Sequence, residues 1–194
     1  MRKLLLLFLA AYCSILAFAQ PNTDAQLKRR LDAYMKINRE LNFKELMNYI
    51  HPSLFNLATR EQLVQVFESS FDNEQMSISI DSLAVTTISP FYVHNKVQYS
   101  KVDYYMEMAL KWKDAAATAE EGFVPQMSTA FEQAFAGSHV SFDKSRNSFL
   151  IKGINILIAI KDDTTTPWMF LGYDKNQPMV RSLFPALVIE HFKL

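Results

Sequence analysis

Between residues 101 and 112 the chain alternates between apolar and polar side chains, and this alternation constrains the fold more than any other segment. Because successive side chains of a β-strand point to opposite faces of a sheet, the pattern predicts a strand with one apolar and one polar face. The apolar positions are Val102, Tyr104, Met106, Met108, Leu110 and Trp112, and the polar positions are Lys101, Asp103, Tyr105, Glu107 and Lys111, with Ala109 as a small exception. Strand-forming residues begin at Phe91, and this length predicts a bulge or bend near Ser100.

The N-terminal part of the chain has helical spacing instead. Residues 24–41 predict an amphipathic helix whose apolar stripe consists of Leu27, Leu31, Tyr34, Met35 and Leu41. Residues 43–50 predict a shorter helix that ends before Pro52, because the residue before a proline avoids the helical region. Thr59 and Gln62 have the spacing of a capping box that opens a third helix.

The remaining segments predict further strands and helices. They are a strand at 76–81, a linker at 115–121, a helix at 123–135 stopped at Gly137, a hairpin tip at 142–149, a strand buried on both faces at 154–160, a turn at 162–166, a last strand at 168–173 and a short helix from Pro185 through Phe192. Helices followed by long antiparallel strands with one inserted helix predict an α+β domain. The expected geometry is a strongly curved antiparallel sheet forming a cone, closed by the N-terminal helices.

Three segments resemble a known superfamily. They are YMKINRELNFKEL at residues 34–46, YIHP at 49–52 and WMFLGYD at 168–174. The chain resembles the nuclear transport factor 2-like superfamily, the cone-shaped group that includes ketosteroid isomerases and SnoaL-type cyclases, and in particular its exported, uncharacterised bacterial members. The resemblance implies a fold and a pocket but no particular reaction.

The first 19 residues predict a signal peptide. Arg2 and Lys3 precede an apolar segment, and Ala17 and Ala19 give the small-x-small pattern before a cut at Gln20. Residues 20–194 are then a single exported domain, in the periplasm or outside the cell. The alternative is lipid attachment at Cys13, although Tyr12 stands where a lipid-attachment box has a small residue.

Composition argues against several functions. Cleavage after Ala19 removes Arg2 and Lys3 from 20 basic residues and none of the 20 acidic residues, which leaves a net charge of −2. This balance gives no electrostatic reason to expect nucleic acid as a partner. Cys13, the only cysteine, leaves with the signal peptide, and no later segment has the length of a membrane span.

Metal and cofactor motifs are also missing from the sequence. The histidines are too far apart for paired ligands, and the four glycines form no phosphate-binding loop, so neither a metal site nor a cofactor is expected. The histidines are His51, His94, His139 and His191. His51 precedes Pro52 and is expected to pack or to cap a turn.

Enzymes of the resembling superfamily use a pocket carboxylate as a base, with a tyrosine or protonated acid as hydrogen-bond donor. The predicted apolar face carries Tyr104 but no carboxylate, because Asp103 and Glu107 fall on the opposite face. A proton-transfer site would lack its base, so no catalytic residue is expected.

Four residues are candidates for ligand contact. Asn38 interrupts the apolar stripe of the first helix, and a buried amide either bonds core backbone or faces a cavity. Tyr104, Trp112 and Trp168 belong either to the core or to a ligand site.

The main hypothesis is an exported, non-catalytic domain that binds a small apolar ligand or a partner protein in its cone. The alternatives are an isomerase, cyclase or dehydratase, and a structural module of an envelope assembly. The polar face of the long strand is either solvent-exposed or a homodimer contact.

Overall fold

A computed structural model describes residues 24–162 and 167–194, which contain seven α-helices, one 3-10 helix and a six-stranded antiparallel sheet. The helices are α1 (Ala25–Arg39), α2 (Phe43–Leu46), α3 (Arg60–Phe71), α4 (Ala115–Ala119), α5 (Phe123–Ala134), α6 (Pro178–Arg181) and α7 (Ala186–Phe192), with the 3-10 helix at Pro52–Asn56. The strands are β1 (Met76–Ile88), β2 (Tyr92–His94), β3 (Val97–Trp112), β4 (His139–Asp143), β5 (Ser148–Lys161) and β6 (Met169–Tyr173). The predicted signal peptide and most of the predicted turn at 162–166 lie outside the described residues. The α+β class is confirmed.

Two long strands form the centre of the sheet. β3 and β5 pair in one unbroken register, from Gln98 opposite Lys161 to Lys111 opposite Ser148. β1 and β2 share the outer edge of β3, while β4 and β6 share the outer edge of β5. β1 has two register shifts against β3, and such irregularities bend a strand. Among the described residues the sheet does not close on itself.

The alternation of residues 101–112 gives β3 one buried apolar face and one polar face, as predicted. Val102 is 0% exposed and Leu110 is 1% exposed, and both point to the same face of β3. Asp103 and Glu107 lie on the other face, where Glu107 pairs with Lys152 of β5 at 2.8 Å. The two faces are called here the apolar face and the polar face.

Helices cover the apolar face at both of its ends. α1 lies over one end, where the ring of Tyr34 contacts the ring of Phe170 at 4.9 Å between centroids. α5 lies over the other end, where Phe131 contacts Phe149 at 5.1 Å. The C-terminal helices lie on the polar face, behind the end covered by α1, where Phe184 contacts Tyr173 and His191 of α7 stacks on Tyr92.

One prediction around the long strand was wrong. Residues 91–112 are not one strand with a bulge near Ser100, where β3 keeps an unbroken register with β5; they form a tight hairpin in which Asn95 and Lys96 connect β2 to β3 with φ angles of 50° and 69°. Two successive residues with positive φ are typical of the hairpin turn that matches strand twist. The strand predicted at 76–81 is confirmed, and it extends further, to Ile88, because it pairs with β3 along that whole length.

Three further features differ from the sequence prediction: a linker, the end of a helix and the burial of a strand. The linker at 115–121 contains helix α4, which Asp114 caps by accepting from the backbone N–H groups of Ala116 and Ala117. Helix α2 ends at Leu46, because the chain then turns to pair Ile50 with Phe170 of β6. Within the strand predicted to be buried on both faces, Ile154 is 58% exposed, so burial on both faces holds only for residues 157–160. The capping box at Thr59 and the hairpin tip before Ser148 are confirmed.

Within residues 24–162 and 167–194, no helix has both the length and the apolar character needed to cross a bilayer.

Candidate functional site

The apolar face is not uniformly buried, and its middle is the most open part. At one end Val102 and Leu157 are 0% exposed, and at the other end Leu110 and Phe149 are 1% and 0% exposed. Between these ends the side chains of β3 and β5 are only half-buried. They are Tyr104, Met106, Gly153 and Asn155, and they form what is called here the central cleft. The cleft lies between the part of the face covered by α1 and the part covered by α5.

The central cleft opens at one edge of the sheet. β4 ends its pairing at Lys152 and β6 begins its pairing at Ile156, so residues 153–155 of β5 have no outer strand. The opening, called here the edge notch, has a volume of about 560 Å³. Its lining includes Met106, Phe135, Ser138, Ile154, Asn155 and Tyr173. Because Met106 and Asn155 belong to both, the notch leads to the floor of the cleft.

Gly153 is required at this edge by a close contact. A Cβ atom placed on Gly153 would lie 2.3 Å from the Oγ of Ser138. The absence of a side chain lets the segment before β4 approach β5 closely, which fixes one wall of the notch.

Three polar side chains at the cleft and notch lack partners. The hydroxyl of Tyr104 and the amide of Asn155, which lie opposite each other on the same face, make no hydrogen bond with any described residue. The Tyr173 hydroxyl is fully buried and likewise has no partner among the described residues. An unsatisfied buried polar group costs about 1–3 kcal/mol, a cost that applies to Tyr173, whereas Tyr104 and Asn155 are only half-buried. Such groups indicate where a ligand could supply the missing hydrogen bonds.

Tyr104 and the neighbouring Tyr34 are hydrogen-bond donors at neutral pH. Burial raises the pKa of Tyr104 to about 12. Burial, followed by the nearby phenol of Tyr104, also raises the pKa of Tyr34 above its ordinary value. Both phenols therefore stay protonated near pH 7, where they donate hydrogen bonds and do not act as bases.

The structure separates the four residues that the sequence marked for ligand contact. Tyr104 lies on the floor of the cleft. The Asn38 amide nitrogen donates to the Tyr34 carbonyl oxygen at 2.9 Å, which is the backbone-bonded alternative. Trp112 packs edge-on against Phe123 at the α5 end of the sheet. Trp168, at the opposite end, is 0% exposed and its indole Nε1 donates to Asp24 at 2.8 Å.

The sequence interpretation missed Asn155, Tyr173 and Ser138. Asn155 did carry a signal, because it is the one polar side chain in the run from Ile154 to Ile160. Tyr173 and Ser138 join the site only because β4 and β6 end on the same edge of β5, and no local pattern indicates that arrangement.

Acidic groups are sparse at this site. Asp174 is the one side-chain carboxylate that lines the notch among the described residues, and it lies at the rim. Its Oδ1 accepts from the backbone N–H of Asn176 at 2.8 Å. In the described part of the chain, no three His, Cys, Asp or Glu side chains form a group that could hold a metal ion.

A second polar cluster joins Ser53, His51 and Asp162. His51 Nδ1 lies 2.9 Å from Ser53 Oγ, and Nε2 lies 3.1 Å from Asp162 Oδ2. The backbone N–H of Ser53 also donates to Nδ1, at 3.3 Å, so Nε2 carries the proton that faces Asp162. The lone pair that a general base would use is thus occupied in capping the 3-10 helix, as expected for His51.

Comparisons with known proteins identify no relative: no family model, no curated protein and no solved structure matches the chain.

Proposed function

We propose that residues 20–194 form an exported, non-catalytic domain that binds a small, mainly apolar ligand in the central cleft. The ligand enters through the edge notch, and the protein acts in the periplasm or outside the cell. The observation that carries the proposal is the half-buried middle of an apolar face whose two ends are fully buried. An apolar surface left partly open inside a fold gains free energy when a ligand removes it from water.

The chemistry of the cleft supports this assignment. Ligand sites are mostly apolar with a few convergent polar groups, in volumes of about 300–1,000 Å³. Met106 and Phe135 supply apolar surface, and Tyr104 and Asn155 supply unpartnered polar groups on the floor. In this proposal Tyr104 and Asn155 orient the ligand. Asn38, Trp112 and Trp168 support the walls of the domain.

We extend the proposal to the family and the shape of the domain. The sequence segments quoted above motivate membership in the nuclear transport factor 2-like superfamily. In that superfamily the curved sheet is a cone closed by the N-terminal helices, and the central cleft corresponds to its interior. A structure of the secreted protein with a ligand in the cleft tests both parts.

The enzyme alternative needs a base at the cleft. Asp174 is the side-chain carboxylate that lines the notch, and its carboxylate already accepts a backbone hydrogen bond. The Asp174→Asn variant distinguishes the enzyme from the binding domain. If the domain is an isomerase or cyclase, this variant abolishes turnover on a panel of ketone and polyketide-like substrates. Unchanged ligand binding without any turnover supports the binding function.

The homodimer alternative concerns the polar face. There, Lys101 pairs with Asp103 at 3.2 Å and Arg146 with Asp81 at 2.7 Å, so these charges are satisfied within one chain. A homodimer through this face and a structural role in an envelope assembly remain proposals, which sedimentation of the mature protein at several concentrations tests.

The decisive experiment measures ligand binding by variants in which a larger side chain occupies the cleft or the notch. We expect the mature protein to bind the neutral apolar dye Nile red with one site per chain. Met106→Trp occupies the floor and Ala136→Trp narrows the notch, and each is expected to weaken dye binding at least tenfold. Met179→Trp is the matched control, because Met179 is 62% exposed and does not line the notch. Undiminished binding by both cleft variants, or no binding by the unmodified protein, contradicts the proposal.

A further inference from the structure

We propose that the ligand is a single-chain amphiphile with an anionic head group, which lies at the edge notch beside Lys175 and Lys193 while the chain lies in the central cleft. This inference rests on the proposed function and adds the chemical class and the orientation of the ligand.

Two lysines at the edge notch offer partners for an anion. Lys175 and Lys193 line the rim, and neither side chain pairs with an acidic group of the described residues. The negative charges of the same rim are the side chain of Asp174, whose Oδ1 accepts from the N–H of Asn176, and the main-chain carboxylate of Leu194; neither forms an ion pair with Lys175 or Lys193. The rim therefore presents two lysines that are not neutralised by ion pairs, next to the amides of Asn176 and Gln177.

A groove at the other edge of the sheet has the opposite charge. It is bounded by α3 and β1, and Phe43, Phe71 and Ile78 give it an apolar lining. Its charged side chains are acidic: Glu68 and Asp72, the latter paired with Lys113. An anionic head group is repelled at that edge and attracted at the notch, so the charge difference sets the orientation of the ligand.

The Tyr173 hydroxyl is a second and independent observation at the notch. Tyr173 lines the notch and is 9% exposed, and its hydroxyl makes no hydrogen bond among the described residues. A carboxylate or phosphate oxygen is an acceptor without a proton of its own, and it can take the hydrogen bond that this hydroxyl leaves unmade, provided that the rim moves to expose the buried hydroxyl. The apolar chain would then extend past Asn155 onto Met106, which lines both regions.

The test uses three ligands that share a twelve-carbon chain: dodecanoate, dodecanol and dodecylamine. Each displaces Nile red from the mature protein. We expect dodecanoate to bind roughly tenfold more tightly than dodecanol, and dodecylamine to bind most weakly. The preference for dodecanoate is expected to shrink in 0.5 M NaCl, because salt screens exposed charges.

Charge reversal at the rim sharpens the test. The double variant Lys175→Glu with Lys193→Glu is expected to lose the preference for dodecanoate and to keep its affinity for dodecanol. The matched control is Lys111→Glu with Lys144→Glu, which changes the same net charge at exposed positions outside the notch. Tyr173→Phe is expected to weaken dodecanoate binding while leaving thermal stability unchanged or raised.

The outcomes separate the two proposals. Equal affinity for the three ligands, or an unchanged preference in the rim variant, overturns the head-group assignment while binding in the cleft stands. If the control variant loses the preference for dodecanoate to the same extent, the preference depends on net charge and not on the rim lysines, and the head-group assignment is also overturned. Failure of every ligand and of the dye to bind overturns the proposed function itself.

Discussion

Helices α1 and α5 cover the same face of one sheet, yet they are held to it very differently. α1 buries Leu27, Leu31, Tyr34, Met35 and Ile37. None of the side chains of α5 is fully buried, although Phe123, Val124, Met127 and Phe131 all pack toward the sheet. The two helices also begin differently, because Asp24 caps α1 with a side-chain hydrogen bond and Gly122 provides none for α5.

The opposite face of the sheet strengthens this contrast. Behind α1 the C-terminal helices cover the polar face, so Ile158 of β5 is 0% exposed. Behind α5 the polar face carries ion pairs such as Glu107 with Lys152 and meets solvent. The α1 end is therefore a three-layer core, and the α5 end is a two-layer unit with one partly exposed wall. Regions with few fully buried contacts open most easily. If the proposed binding function holds, α5 is the wall that we expect to adjust when a ligand enters the cleft.

The largest expected effect comes from breaking the α1 end. Leu31 is 1% exposed and lies in the middle of the buried stripe of α1. Leu31→Ala removes buried apolar atoms and leaves a cavity, which lowers the free energy of unfolding by about 3 kcal/mol. Urea denaturation of the mature domain measures this loss.

The matched change at the other helix is Met127→Ala. Met127 is only half-buried, so its truncation exposes a surface that already meets water, and we expect a loss of about 1 kcal/mol. Equal losses for the two variants would mean that α5 is docked as firmly as α1, and the contrast between the two helices would be wrong.

The sequence predicted local structure well where one residue pattern determines it. The alternation from Val102 to Leu110 gave the correct strand faces, since period-two patterning depends only on the strand itself. The capping box at Thr59 and Gln62 was correct for the same reason, because both partners lie within one helical turn. The α+β class and the division of the sheet into an apolar and a polar face were therefore predictable.

The candidate site was much less predictable. Trp112 and Trp168 were chosen by residue type, and they lie at opposite ends of the sheet because β3 and β5 are long and pair without a break. The edge notch exists because β4 and β6 pair with different parts of one edge of β5. Strand order and register are properties of the whole sheet, so no short segment of sequence specifies them.

An effect intermediate between those of Leu31→Ala and Met127→Ala is expected where α1 begins. Asp24 accepts from the indole N–H of Trp168 at 2.8 Å and from the backbone N–H of Gln26. Asp24→Ala removes the helix cap and leaves the buried indole N–H without its partner, so we expect a loss of about 2 kcal/mol at pH 7.

This loss is expected to depend on pH. The hydrogen bond from Trp168, followed in the same direction by that from Gln26, lowers the pKa of Asp24 below its ordinary value, although partial burial opposes the shift. A lowered folded-state pKa means that the contribution of the ionised carboxylate is present above the ordinary value of 3.8 and is lost as pH falls through the folded-state pKa. Melting curves of the two proteins should therefore lie closer together at pH 2.5 than at pH 7. A gap that stays constant across this range would contradict the charged role of Asp24.

The smallest effect is expected on the polar face behind α5. Glu107 accepts from Lys152 at 2.8 Å and from the Tyr105 hydroxyl at 3.1 Å, and these hydrogen bonds lower the pKa of Glu107 although partial burial opposes them. Solvent screens a pair of this kind, so Glu107→Ala should shift Tm by no more than about 2 °C. The shift should shrink further in 1 M NaCl.

The same variant distinguishes a solvent-exposed face from a face that meets a second copy. If the polar face formed a homodimer contact, removing Glu107 would leave Lys152 and Tyr105 without their partner inside an interface, and the loss would grow at protein concentrations where the dimer forms. We expect one small shift in Tm that does not change with protein concentration. Melts at two concentrations a hundredfold apart, with sedimentation of both proteins, make this comparison. A large, concentration-dependent drop would show that the α5 end is covered on both faces after all, by another molecule in place of the C-terminal helices.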